Sequence, residues 1–430
     1  MRAAARSAAE APHRAPMSAP ARVPASPVSA AEFAALMAPL GPFGAAPRLV
    51  TGVSGGPHSL ALTLLLARWA EAEGGALLPV IVDHGLRAES AAEAAGVAAM
   101  LRARGLAPRI VALGMAGGAA LQARARDGRL AALLGVAAAE GAPWLALGHH
   151  RDDQAETVLL RALAGSGAAG LAGMAPARAA GAALVIRPLL GVAPARLEAV
   201  VEAAGLVPVR DPANADPRFA RARLRPTMGA AEAMALATAA GCLGRRRAAM
   251  QRAVAARLAE AAAWQPEGFA RLDRAALGQD GVAVAALAGL IRLVGGGAYA
   301  PGVAHVAALL ARGHGTLGGA VLTPAGLLLR EAAAMAPPVP ALAGARWDGR
   351  WQLEVGAPGC VIGALGAAAA GVPRPAWLPA GVARTLPALW RPGEGACNWV
   401  LVEVPALGYA LRRSATGLRL RFAPEGGPLA

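Results

Sequence analysis

From about residue 48 to 187 the chain alternates short, continuously apolar runs with longer stretches of helical character, and nothing else in it constrains the fold as much. Residues 49–53, 77–82, 109–113, 144–147 and 184–186 read as strands. Between and after them, helices are expected through residue 69, to near 105, over 121–140, through 163 and over 194–204. Runs this apolar are buried on both faces, and strands separated by helices pair in parallel. The expected fold class is α/β: a doubly wound, mostly parallel sheet in the N-terminal domain. Three polar clusters follow the first, second and fourth runs: Ser54-Gly55-Gly56-Pro57-His58-Ser59, Asp83-His84-Gly85-Leu86-Arg87 and His149-His150-Arg151-Asp152-Asp153. All three fall where strands end at their carboxyl side, the rim on which open α/β sheets bind ligands.

The remaining organisation is coarser. Residues 1–30 are Ala, Pro, Ser and Arg without apolar periodicity, and read as a disordered basic leader; Met17 is an alternative start. The α/β domain is expected over 45–228, a helical domain over 229–315 and a small β-rich domain over 316–430. Trp347-Asp348-Gly349-Arg350-Trp351 reads as a two-residue hairpin. The uncharged stretch 355–372 is long enough for a bilayer, but it carries five glycines and Pro358, so no membrane span is expected.

Composition enters through charge. The 42 basic residues against 27 acidic ones give +15, and every basic residue is Arg. Without Lys there is no Schiff-base chemistry and no Walker-type phosphate loop. A polyanion, nucleic acid above all, is the default partner. Cys242, Cys360 and Cys397 have no C-x-x-C spacing, which argues against a disulfide framework, a Cys-rich zinc site or an iron–sulfur cluster, and for a cytoplasmic protein.

A strand that enters Ser-Gly-Gly and leaves as a helix suits an anion: backbone N–H groups approach closely, Ser54 and Ser59 add hydroxyls, and the helix contributes its positive end. An ordinary strand-to-helix turn capped by Ser59 would look similar. The loop resembles the S-G-G-x-D-S loop of the PP-loop, or N-type, ATP pyrophosphatases. Gly148 to Thr157, Val82 to Arg87, Arg187-Pro188-Leu189-Leu190 and the stretch from Asp211 to Arg225 resemble the tRNA(Ile)-lysidine synthase family within that group.

The resemblance implies joining of free L-lysine to C2 of the wobble cytidine of tRNA(Ile) with a CAU anticodon. The base is first adenylated by ATP, with Mg²⁺, releasing pyrophosphate, and AMP leaves in the second step. It assigns ATP binding to Ser54, Gly55, Gly56, Pro57, His58 and Ser59, and catalysis to Asp152, Asp153, Glu156 and Arg187. Asp83, His84, Arg87, His149, His150, Asp211, Asn214, Arg218, Arg221 and Arg225 would contact substrate or tRNA. Asp83 or Asp153 is the candidate Mg²⁺ ligand. The oligomeric state stays open, a dimer included.

One departure matters. The loop's acidic position is His58, and imidazole is a poor Mg²⁺ ligand. Either phosphates, water and another carboxylate hold the cation while His58 donates to phosphate, or the ATP step is impaired. A zinc site is the competing use of the histidines, yet neighbouring His149 and His150 do not readily face one ion. Asp153-x-x-Glu156 also fits a helix capping box. The arginines after Asp211 suit phosphate contacts or stacking on an unpaired base, or merely form a solvated basic face. Two alternatives to the ligase remain: a non-catalytic RNA-binding protein with a decayed loop, and another PP-loop synthetase of the GMP or NAD type.

Overall fold

The structure, a computed structural model, describes residues 25–85, 89–114, 121–181, 183–209, 223–393, 399–404, 409–410 and 419–424. Most of the leader, Arg87, Asp211, Asn214, Arg218, Arg221 and Cys397 lie outside the described residues. The chain divides into two compact units, Met1–Gly244 and Arg245–Ala430.

In the first unit the elements are α1 (Ala30–Met37), β1 (Arg48–Val53), α2 (Pro57–Ala72), β2 (Ala76–Asp83), α3 (Ser90–Arg102), β3 (Arg109–Ala112) and α4 (Leu121–Ala139). They continue with β4 (Trp144–Ala146), α5 (Arg151–Leu163), α6 (Ala168–Leu171), β5 (Ala177–Ala180), β6 (Ala183–Ile186) and α7 (Pro194–Ala203). The sheet runs β3-β2-β1-β4-β6-β5, parallel except for β5, so the expected doubly wound, mostly parallel sheet is present. The antiparallel edge strand β5 was not anticipated: Ala177-Arg178-Ala179-Ala180 carries no β-branched or aromatic residue, and it is a strand because β6 offers it a free edge.

Alternation along the strands builds two cores. Leu49, Val53, Ile81, Ala146 and Ile186 face one side, under α1, α2, α3 and α7. Val50, Val80, Leu145 and Val185 face the other, against Leu133, Val136 and Ala137 of α4. Right-handed crossovers require this split. The chain moves from β1 outward to β3 with helices on one face, then returns past β1 to β4 with α4 on the opposite face. The direction of winding thus reverses between β1 and β4, the position at which open α/β sheets bind ligands.

Among the described residues the second unit holds three antiparallel sheets. Its first stretch is the end of a long helix, Ala230–Ala261. Where helix was expected to continue, β7 (Ala262–Gln265) and β8 (Phe269–Leu272) form a hairpin. They join a five-stranded sheet, β7-β8-β11-β10-β9, with β9 Gly315–Leu317, β10 Ala320–Leu322 and β11 Leu327–Arg330. Ala-rich sequence carries a helical bias that the burial of Phe269 and Ala270 overrides. Helices Gly281–Gly295 and Val303–Arg312 pack their apolar stripes on this sheet.

Toward the C-terminus, strands Arg346–Trp347 and Trp351–Val355 pair Trp347 with Trp351. Asp348 and Gly349 both have positive φ, and the Arg350 N–H donates to the Trp347 carbonyl at 3.2 Å. The tight turn is therefore present, but three residues separate the paired tryptophans rather than the expected two. Arg350 is the extra one, held out of register because its side chain is buried against Asp348. Residues 355–372 form strand Val361–Ala364 and a short 3₁₀ segment. Among the described residues no helix is long and apolar enough to cross a membrane.

Candidate active site

At the end of β1 the chain turns through Ser54, Gly55 and Gly56 into α2. Gly55 has φ +79°, and a Cβ there would lie 2.7 Å from Val97 Cγ2, so both backbone and space demand glycine. Its carbonyl accepts from the Val209 N–H at 2.9 Å. Pro57 takes the first helical position, where a missing N–H costs nothing. Ser59 Oγ donates to the Gly56 carbonyl (2.9 Å) and accepts from the Ser54 N–H (3.2 Å), with Ser54 Oγ 3.1 Å away. The hydroxyls thus lock the loop in shape and leave the helix N-terminus to meet an anion.

The loop after β4 lies directly against this one. A Cβ on Gly148 would come within 3.1 Å of the His58 carbonyl oxygen and 3.2 Å of Ser59 Cα, which is why a glycine precedes the paired histidines. His150 is the N-cap of α5: its Nδ1 accepts from the Asp152 N–H (3.2 Å), while Asp153 Oδ2 accepts from the His150 N–H (3.1 Å). The capping box is real, but one turn earlier than Asp153-x-x-Glu156; Asp153 is its third helical residue, not its cap. Glu156 is fully buried and accepts from Arg225 Nε at 2.6 Å. Arg225 Nη2 also stands 3.7 Å from Asp153 Oδ1, and Arg151 Nε donates to Asp152 Oδ1 at 2.9 Å.

His58 is drawn into this group. Its ring meets that of His150 edge to face, centroids 4.1 Å apart. Burial, then the neighbouring His150, pushes its pKa down to about 4 against the pull of Asp153 and Asp152, so the imidazole is neutral at pH 7. Its Nε2 is buried without a hydrogen bond and lies 4.0 Å from Glu198 Oε1 of α7. Glu198 was missed in the sequence because nothing distinguishes it from any exposed carboxylate on an amphipathic helix; only the packing of α7 against α2 brings it here.

Other expected site residues gather elsewhere on the rim. Asp83 Oδ1 accepts from the Gly85 N–H at 2.9 Å, and that bond, with one from Ser90, holds its carboxyl below the usual range. Burial and Arg129 of α4 lower the neighbouring His84. Arg187 Nη1 donates to the Ala175 carbonyl at 2.9 Å; burial, then Arg178 and Arg126, pulls its pKa to about 10. Arg187 therefore belongs to an arginine group with Arg126 and Arg178, not to the carboxylates. Arg126 and Arg129 lie within the expected helix over 121–140 and carry no role in the sequence; the charge of Arg129 reaches His84 and that of Arg126 reaches Arg187. His149, half-buried, stands in the β4 loop beside His150. Among the described residues, then, His58, His150, Asp152, Asp153, Glu156 and Arg225 come together, whereas Asp83 with His84, and Arg187, form separate groups.

The profile of the PP-loop domain matches residues 26–232. A tRNA(Ile)-lysidine synthase of Novosphingobium aromaticivorans is 46% identical over 209 residues, 48% of this chain and 62% of that protein. One of Bradyrhizobium sp. is 45% identical over 233 residues, 52% of this chain and 64% of that protein. The match thus spans somewhat less than two thirds of these two relatives. A third, of Methylobacterium sp., is 45% identical over 285 residues, 64% of this chain and 82% of that protein. Similarity of that extent, together with a PP-loop set at the winding reversal of a mostly parallel sheet, means that this chain belongs to the tRNA(Ile)-lysidine synthase family.

Proposed function

We propose that this protein ligates free L-lysine to C2 of the wobble cytidine of tRNA(Ile) bearing a CAU anticodon, consuming ATP through an adenylated cytidine and giving lysidine, AMP and pyrophosphate. One observation carries the reading: the N-terminus of α2 and the acidic start of α5 lie side by side at the winding reversal of the sheet. An anion-binding end thereby adjoins a cation-binding one.

The loop Ser54 to Ser59 receives the triphosphate through backbone N–H groups, and the neutral His58 ring has one N–H to add. The group of Arg126, Arg178 and Arg187 supplies the positive charge that Lys provides in other phosphate sites. Lysine's amine has a pKa near ~10.4, so only about 1 in 10³ to 10⁴ is neutral at pH 7. A carboxylate must therefore hold the ammonium and take its proton. Asp152 and Asp153 are half-buried and suited to this; Glu156, already bonded to Arg225, serves to position that arginine. Arg225 points into the carboxylates, which leaves phosphate contacts with the tRNA to other arginines.

Mg²⁺ takes oxygen ligands, commonly one or two carboxylates with the rest from phosphate and water. His58 offers none, but Glu198 Oε1 lies 4.0 Å from its Nε2, and the charges of Asp152 and Asp153 reach its ring. Among the described residues no three ligating side chains gather on one point, so the ion would take one of these carboxylates and complete its shell from the triphosphate and water. Bound with the triphosphate, it would offset phosphate charge and favour departure of pyrophosphate.

Purified protein supplied with tRNA(Ile), lysine and radiolabelled ATP tests the proposal. Lysine incorporation with matching release of AMP and pyrophosphate is expected. Binding of tRNA without AMP release would favour an RNA-binding protein whose loop has decayed at His58.

A further inference from the structure

We propose that Glu198 supplies the metal-facing carboxylate that the phosphate loop lacks at position 58, an inference that rests on the ATP-dependent reading above. The loop position carries imidazole, which Mg²⁺ disfavours, so a cation accompanying the triphosphate needs an oxygen from elsewhere.

The acidic residues of the rim differ in their commitments. Asp83 accepts from the Gly85 N–H, Asp152 from Arg151, Asp153 from the His150 N–H and Glu156 from Arg225. Among the described residues Glu198 is paired with no arginine, and its Oε1 stands 4.0 Å from His58 Nε2. Its side chain remains 55% exposed, so a carboxylate oxygen can reach an ion without first breaking a buried pair. Its backbone is nevertheless fixed relative to the loop. Leu197, Val200 and Val201 on the same helix are buried in one core with Leu60 and Leu64 of α2, the helix that the loop opens. An aspartate at position 58 would have brought its charge from inside the loop; here the charge stands on the adjoining helix, in front of the imidazole.

Calorimetric titration of the full chain with α,β-methylene-ATP, in Mg²⁺ and again in EDTA, tests this. The wild-type protein is expected to bind more tightly in Mg²⁺. Glu198→Gln should lose on the order of tenfold of that metal-dependent gain, the scale of one charge-assisted contact, and match the wild type in EDTA. The double variant H58D/E198Q, which returns an oxygen donor to the loop, should regain most of the loss. The inference is overturned if Glu198→Gln keeps the full gain, if it weakens binding equally in EDTA, or if the wild type gains nothing from Mg²⁺. Absence of analogue binding by the wild type under both conditions would overturn the ATP-dependent reading as well, which separates the two failures.

Discussion

Two clusters of acidic and basic side chains, one in each unit, are built on opposite terms. In the second unit Asp348, 1% exposed, accepts from Arg330 Nε (3.0 Å) and Nη2 (2.7 Å), from Arg350 Nε (2.8 Å) and from the Ala336 N–H (3.0 Å). The arginines spend further N–H groups on the carbonyls of Gly319 and Thr385. In the first unit His58 keeps a nitrogen without a hydrogen bond, Asp152 and Asp153 stay half-buried, and Arg225 is 45% exposed. A cluster whose polar atoms are satisfied from within holds a hairpin in place. A cluster with capacity left over has something to offer a ligand.

The sharpest way to break that contrast is Asp348→Asn, which keeps a residue tolerant of positive φ but leaves two buried arginines without a counter-charge. It is expected to cost about 3–5 kcal/mol in urea unfolding. A cost below about 1 kcal/mol would mean that the cluster is not what organises this region. The same carboxyl gives a pH signature. Although burial raises it, Arg330 and Arg350 hold its folded pKa below the ordinary value. Its contribution is therefore present above the unfolded pKa of about 3.9 and is lost as pH falls through the lower folded value. Asp348→Asn should remove that part of the acid slope, as equilibrium unfolding between pH 5 and 2 (about the span of the carboxylate transition) would record.

Asp153→Asn should act in the opposite sense. Lysine transfer is expected to fall by about 10²–10⁴-fold with tRNA affinity unchanged, at a stability cost of about 1 kcal/mol for the weakened cap. Equal loss of transfer and tRNA binding, or a larger loss of stability, would make Asp153 structural like Asp348. Glu156→Gln lies between the two. Its carboxylate is buried, but Arg225 can turn to water, so about 1.5–3 kcal/mol is expected in the same urea assay, less than for Asp348→Asn. A surface pair calibrates the scale: Glu140→Gln, which removes the partner of Arg109 at the edge of the first unit, should change stability by less than about 1 kcal/mol.

The parallel sheet was legible because its strands are apolar on both faces, a pattern that helices cannot share with them, and because three polar clusters followed three of those strands. The hairpin β7–β8 and edge strand β5 were not, since alanine-rich strands have no periodicity of their own and exist through what they pair with. In the site, the loop glycines and the acidic start of α5 announced themselves by local spacing. The cap at His150, the pairing of Glu156 with Arg225 across 69 positions and the approach of Glu198 to His58 did not.

By itself the chain determined which residue types lie at the carboxyl ends of which strands, because burial and backbone geometry act within a few neighbours. Tertiary structure alone decided which of those residues touch. Contacts between side chains far apart in sequence depend on how helices settle on the sheet: the reversal of winding between β1 and β4 set His58 against His150 and its acidic helix, and the packing of α7 brought Glu198 to His58.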